Sequence, residues 1–105
     1  DQRMVRMAEI EVDPARLPAY LTLLTEEIAA SVAIEPGVLM LHAVAQRDAP
    51  HHISILEVYA SKASYEAHIE TPHFLKYKAG TADMVTALSL VEVDPILLAA
   101  KAVPC

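Results

Sequence analysis

Glu35-Pro36-Gly37-Val38-Leu39-Met40-Leu41-His42-Ala43-Val44-Ala45-Gln46 is the stretch on which the fold turns. The Pro-Gly pair closes whatever helix precedes it, and the run from Val38 to Gln46 reads as a strand. In a regular strand Val38, Met40 and Val44 share one side, and Leu39, Leu41, Ala43 and Ala45 share the other. Both sides are apolar, so both should be covered. Helices of the same chain can cover only one. A second sheet, supplied by a second copy, is the better cover for the other, and a homodimer packed sheet to sheet is expected.

Upstream, Met4–Val12 reads as a strand in which Arg6, Glu9 and Glu11 interrupt an apolar run, so one side should be partly wet. Asp13-Pro14 opens a helix: Asp13 caps free N–H groups and Pro14 suits the first turn. Leu17, Leu21, Leu24, Ile28 and Val32 recur at steps of three and four and mark its apolar stripe. Pro18 still lies in the first turn.

Downstream, Arg47–His51 reads as a hairpin loop and His52–Tyr59 as a strand. Ile53, Ile55, Glu57 and Tyr59 point one way, Ser54, Leu56 and Val58 the other. Ser61 caps a short helix to about Glu70. Thr71-Pro72 repeats the signal for another, to about Val85, weakened by Gly80. Leu88–Asp94 is the last strand, stopped by Pro95, and Ile96–Val103 is an apolar tail. The order β-α-β-β-α-(α)-β is the split β-α-β order of ferredoxin-like folds. It predicts an α+β protein with a four-stranded antiparallel sheet and helices on one face. Residues 1–105 form one domain, with a core of about 4–94 and a tail over 95–105.

The composition narrows the function. At 105 residues there is room for one domain. With one Phe, four Tyr and no Trp, the core must be aliphatic. A net charge of -6 argues against nucleic acid. No basic amphipathic stretch points to a membrane, and the apolar runs, such as Val38–Ala45, are too short to span one. Without a secretory signal, a cytoplasmic location is expected. The sequence opens on Asp1, with Met4 the first candidate initiator. The single cysteine, Cys105, makes no internal disulfide and is given no catalytic weight.

Three segments carry a family resemblance. Glu35-Pro36-Gly37-Val38-Leu39 after the first helix, Glu57-Val58-Tyr59 at the end of the third strand, and above all Ala67-His68-Ile69-Glu70-Thr71-Pro72-His73-Phe74 resemble the antibiotic biosynthesis monooxygenase (ABM) family. The last segment is similar to the AH-x-x-T-x-HF pattern of members related to quinol monooxygenases and to a phospho-autoinducer isomerase. The resemblance spans about residues 4–94. It implies a dimeric α+β barrel with a pocket between sheet and helices. It also implies one of several chemistries: oxidation of quinol-like or polyketide aromatics by O2 without a bound cofactor, haem degradation, or isomerisation of a small phosphorylated ligand. Fold alone does not choose among them.

The candidate chemistry rests on imidazole and carboxylate. His68 sits mid-helix on a stripe with Tyr65 and Ile69, and serves either as a pocket base or as a helix histidine bonded to backbone. His73, in the first turn after Thr71-Pro72, lies where a helix dipole disfavours a protonated ring; it is either a second acid–base group or a lock at the helix junction. Glu57, on an apolar strand face, needs a partner. It either orients a histidine or a substrate hydroxyl, or pairs with a helix end or an arginine. Tyr59, Tyr65 and Tyr77 can wall an aromatic ligand or serve as core. His42 lies on the Met40–Val44 side, as a pocket or interface residue. His51 and His52 read as solvated loop residues. His68 and His73, five apart, miss the i, i+4 helical pairing, so no metal is expected. Neither a glycine-rich phosphate loop nor a flavin or nicotinamide motif is present, so no cofactor is expected.

These residues suit a cofactor-independent monooxygenase acting on a quinol or hydroxylated aromatic. His68 would be the base, Glu57 or His73 would orient it, and Tyr59 and Tyr77 would hold the ring. The alternatives are an isomerase of a small phosphorylated ketone, with Lys76 or Lys78 as the cation, and a non-catalytic small-ligand-binding dimer. Haem degradation is disfavoured by the lack of Trp, which the resembling haem degraders place in the pocket.

Overall fold

A computed structural model describes residues 1–102 of the chain; Cys105 and the end of the tail at Val103 lie outside the described residues. Four strands make one antiparallel sheet: β1 (Met4–Val12), β2 (Val38–Gln46), β3 (Ala49–Tyr59) and β4 (Val85–Val93), in the order β2-β3-β1-β4. Three helices, α1 (Leu17–Ile34), α2 (Lys62–His68) and α3 (Pro72–Thr81), complete the α+β ferredoxin-like fold. The strand order places the first and last strands side by side.

Alternation on β1 sets the two layers. Ala8, Ile10 and Val12 are buried with Tyr20 and Leu24 of α1, so this side of the sheet is the helix side. Ile53 and Ile55 of β3 join them, and Glu57 and Tyr59 follow on the same parity. Glu9 is exposed on the opposite side, where its carboxylate accepts from Ser54 Oγ. Arg6 departs from the sequence reading. It shares parity with Ala8, faces the helices, and pairs with Glu57 instead of meeting water.

β2 runs over the predicted residues, but its faces are not regular. The β2–β3 register slips between Val38 and Met40, so Leu39 is an extra residue in a bulge. Val38 therefore joins Leu41 and Tyr59 in a buried cluster on the helix side. Met40, His42 and Val44 keep the opposite side without it. A bulge cannot be seen in an alternation of uniformly apolar residues.

The hairpin is tighter than expected. Gln46 pairs with Ala49, leaving Arg47-Asp48 as a two-residue turn. His51 and His52 belong to β3, and His52 Nε2 lies 3.0 Å from Glu11 Oε1. Pro50 sits where the β2–β3 register slips again and beyond the last β1 pair, Glu11–His52, so no regular ladder needs its missing N–H.

Asp13 accepts a hydrogen bond from Ala15 N, and Pro14–Arg16 form one 3-10 turn before α1 begins. The fully buried line of α1 is Tyr20, Leu24, Glu27 and Ser31; of the predicted stripe Leu24 is buried and Leu17 and Ile28 pack against the same core, while Leu21 and Val32 are exposed. By length and composition Pro14–Ile34 could cross a membrane; here its buried side packs on the sheet. Ser61 and Thr71 cap α2 and α3, accepting from Ser64 N and Phe74 N. α3 stops at Thr81, short of the expected Val85. Met84 is buried, and its carbonyl accepts from Asp13 N at 2.9 Å, which turns the chain straight into β4. The tail after Val93 has no helix or strand through residue 102.

Candidate functional site

A cavity of about 130 Å³ lies between the helix side of the sheet and the helices. Ala8, Ile10, Ile55, Leu41 and Leu24 give it aliphatic walls, and Leu88 and Leu90 of β4 flank it. Its polar groups fall into two clusters.

The first belongs to the strands. Arg6 Nη2 donates to Glu57 Oε1 at 3.2 Å, and Tyr59 Oη donates to the same oxygen at 2.6 Å. Arg6 Nη1 donates to Tyr65 Oη at 3.1 Å while its guanidinium lies 4.5 Å from the Tyr65 ring centre. Burial would lower the Arg6 pKa, but the Glu57 charge and the Tyr65 bond outweigh it and hold the cation. Burial and the Glu57 carboxylate push the Tyr59 hydroxyl well above the usual phenol value, so Tyr59 is a donor. Arg6 Nε is buried and has no hydrogen-bond partner among the described residues.

The second belongs to the helices. His68 is buried at 3 % exposure. Its Nδ1 lies 2.9 Å from Glu35 Oε2 and its Nε2 3.3 Å from Glu27 Oε1. His73 Nε2 lies 2.7 Å from the same Glu35 oxygen. Ser31 Oγ lies 2.8 Å from both Glu27 Oε1 and the Glu27 carbonyl oxygen, which share its one proton. A run of alternating imidazole and carboxylate thus leads from half-buried His73 to the cavity wall. Burial raises the Glu35 pKa, but hydrogen bonds from both histidines outweigh it and hold it below the usual carboxylate value. Glu27 goes the other way: burial dominates and raises it, despite Ser31 and the histidines.

Glu35, His68 and His73 bring three ligand-type atoms within 4.8 Å of one another. The two histidines sit on different helices, so their spacing in sequence does not decide whether they meet. The bond lengths describe a hydrogen-bonded anchor, with both rings turned to one oxygen.

Of the residues singled out in the sequence, His68, Glu57, Tyr59, Tyr65 and Tyr77 line the cavity. His73 reaches it only through Glu35 and His68. His42 does not reach it: it pairs with Leu56 on the opposite side of the sheet and is exposed. Tyr77 Oη shares a 2.6 Å hydrogen bond with Tyr20 Oη, which anchors its ring. Lys76 is tied to Glu26 at 2.6 Å, whereas Lys78 lines the cavity.

Residues 3–80 match the family model described as antibiotic biosynthesis monooxygenase. The chain belongs to this family. The ABM fold recurs in solved structures. A candidate antibiotic biosynthesis monooxygenase of Bacteroides thetaiotaomicron superposes with a TM-score of 0.92 at 50% identity, over 96% of each chain. A candidate monooxygenase of Lactobacillus acidophilus gives 0.86 at 28% identity, over 88% of this chain and 44% of that one. A Nitrosomonas europaea structure, at 21% identity and a TM-score of 0.83 over 90% and 99%, shares the fold. No curated protein matches the sequence.

Three members of the two clusters were not legible as site residues. Arg6 reads only as a charge interrupting an apolar strand and Glu27 is not singled out, because charged side chains are seldom buried unless paired and their ionic partners, Glu57 and His68, are distant in sequence. Glu35 stood in one of the ABM-like segments, but only the fold brings it to His68, 33 residues away. Parity with Ala8 and Ile10 was the available signal for Arg6.

Proposed function

We propose that this ABM protein is a cofactor-independent monooxygenase acting on a small hydroxylated aromatic molecule of the quinol kind. The carrying observation is a cavity with aliphatic walls that holds an acid–base cluster, Glu27–His68, and a donor–acceptor cluster, Arg6–Glu57–Tyr59–Tyr65. Aliphatic walls suit a ring, and the polar groups suit its hydroxyls. The family and its two more similar structural neighbours, both candidate monooxygenases, support the same reading.

The chemistry asks little of the protein beyond this. Removal of a phenolic proton by the Glu27–His68 cluster leaves an electron-rich anion able to reduce O2. One oxygen atom enters the ring and the other leaves as water. The two hydrogens and the matching electrons come from the substrate, so a hydroquinone yields a hydroxyquinone. Arg6, Tyr59 and Tyr65 orient the second hydroxyl, and the walls exclude water from the reactive anion. Oxygen consumption with a panel of hydroquinones tests the reading. Uptake that depends on enzyme and tracks quinone formation is expected. Product formation that proceeds equally without O2 would instead favour the isomerase reading, for which Lys78 at the cavity is the available cation.

A further inference from the structure

We propose that Glu35 is a positioning residue that holds the His68 ring as its Nδ1–H tautomer, so that the nitrogen left for the cavity, Nε2, is an acceptor and recognises a hydroxyl, not a carbonyl. This rests on the hydroxylated-aromatic reading above and names the ligand group that faces the ring.

One carboxylate oxygen serves two rings. Glu35 Oε2 lies 2.9 Å from His68 Nδ1 and 2.7 Å from His73 Nε2. Imidazole is a stronger base than a carboxylate by about two units, so a proton lying between ring and oxygen belongs to the ring. An ionised carboxylate only accepts, and a ring lone pair at these distances would oppose it. Both nitrogens turned to Glu35 therefore carry hydrogen. Burial raises the Glu35 pKa, but the bonds from both histidines outweigh it, in keeping with an ionised group. The two rings are thus opposite tautomers: hydrogen on Nδ1 in His68 and on Nε2 in His73.

The His68 ring is held in this orientation. It is 3 % exposed, with the Phe74 ring centre at 5.1 Å and the Tyr59 ring centre at 5.4 Å. A half-turn about its Cβ–Cγ bond would withdraw Nδ1 from Glu35 and leave that bond unmade. The three residues come from the end of α1, the last turn of α2 and the first turn of α3, so the arrangement ties the three helices together.

The tautomer decides what the cavity offers. A neutral imidazole with hydrogen on Nδ1 has its lone pair on Nε2. Among the described residues Nε2 makes no hydrogen bond, and it is not among the fully enclosed unpartnered atoms. His68 lines the cavity, and Glu27, whose Oε1 lies 3.3 Å from Nε2, lines it beside the ring. Nitrogen and carboxylate alike call for a donor on the ligand here. A hydroxyl supplies one; a carbonyl or an ether oxygen would set lone pair against lone pair.

Nitrogen-15 NMR of the labelled full chain reads the tautomers directly, because protonated and bare ring nitrogens resonate far apart. Spectra taken near pH 9, about two units above the ordinary imidazole value, are assigned by the signals missing from His68→Gln and His73→Gln. Wild type should show His68 bare at Nε2 and His73 bare at Nδ1. In Glu35→Ala, His68 should move to the Nε2–H form that free histidine favours in water, while Glu35→Asp should restore part of the Nδ1–H signal. Phenol should shift the His68 Nε2 resonance towards the protonated range, and anisole, its methyl ether, should not. Hydrogen on Nε2 in wild type, or on both nitrogens at this pH, would overturn the proposal. So would a folded Glu35→Ala protein that keeps His68 as Nδ1–H, or phenol that binds and leaves Nε2 unmoved. If phenol fails to bind while both tautomers are as assigned, the hydroxylated-aromatic reading and the recognition of a hydroxyl fall, and the positioning by Glu35 stands.

Discussion

Gly37 is a residue whose smallness is required by a neighbour, not by its backbone. No glycine in the described chain has a positive φ. A Cβ at Gly37 would lie 2.4 Å from Ser64 Oγ and 2.6 Å from Ser64 Cβ. The helix-ending Pro-Gly thus also seats α2, which carries His68, against the start of β2. Gly37→Ala should destabilise the fold by about 1–3 kcal/mol through this overlap, and Ser64→Gly should recover most of the loss. Thermal melts of the two single variants and the double variant would show it. Additive losses would contradict the account. Glu35 gives a second prediction at this scale. Its pKa is held below the unfolded value near 4.5, so the stability it contributes is present above that value and lost as pH falls through the lowered one. Glu27 has the opposite sign: its pKa is raised, so acid relieves the cost of its buried charge. The gap in melting temperature between wild type and Glu35→Gln should therefore close as pH drops below about 4.5. A gap that stays constant across that window would refute it.

At the scale of elements, what was legible and what was not divides along identifiable lines. The bounds of β1 and β2, the two faces of β3 and the caps at Asp13, Ser61 and Thr71 were all readable, because each rests on local periodicity or a local hydrogen bond. The phase of α1 was legible only in part: Leu17, Leu24 and Ile28 pack on the core as read, but apolar residues surround that helix, so several stripes fit, and Leu21 and Val32 fall on the exposed side. The buried face carries Glu27 and Ser31, which a search for an apolar stripe passes over. The site was legible where a side chain interrupts a strand or helix face, as Glu57 and His68 do. It was hidden where the partner is distant, as for Arg6 with Glu57, 51 residues away. The buried face makes a direct prediction. Leu24→Ala should cost about 2–5 kcal/mol, whereas Val32→Lys, on the exposed side at 51 %, should change stability by no more than about 0.5 kcal/mol. Denaturant midpoints would decide it; equal losses would restore the predicted stripe.

For the whole molecule, the feature that bears on assembly is the side of the sheet that no helix of the described residues covers. Met40 and Val44 lie on it, and Val44 is 66 % exposed. Val91 and Val93 of β4 share the parity of Val5 and Met7 and are exposed as well. An apolar sheet face of this kind supports the proposed homodimer, with a second copy as the cover. Val44→Glu should convert the proposed dimer to a monomer in sedimentation, and wild-type protein that stays monomeric at high concentration would end the proposal.

The pairing of β4 with β1 has a consequence for how the protein is made. Of the four strands of this sheet, the one synthesised first waits for the one synthesised last, with some seventy residues of chain between the end of one, Val12, and the start of the other, Val85. Until Val85–Val93 has left the ribosome, β1 is an open edge, and the flank that Leu88 and Leu90 give the cavity is missing. A chain stalled or cut before Val85 would therefore hold both polar clusters yet present them to water, beside an unsatisfied row of backbone donors and acceptors. Such a fragment should be captured by chaperones or aggregate. Ligand binding should then emerge abruptly with the last nine-residue strand, not grow in step with chain length.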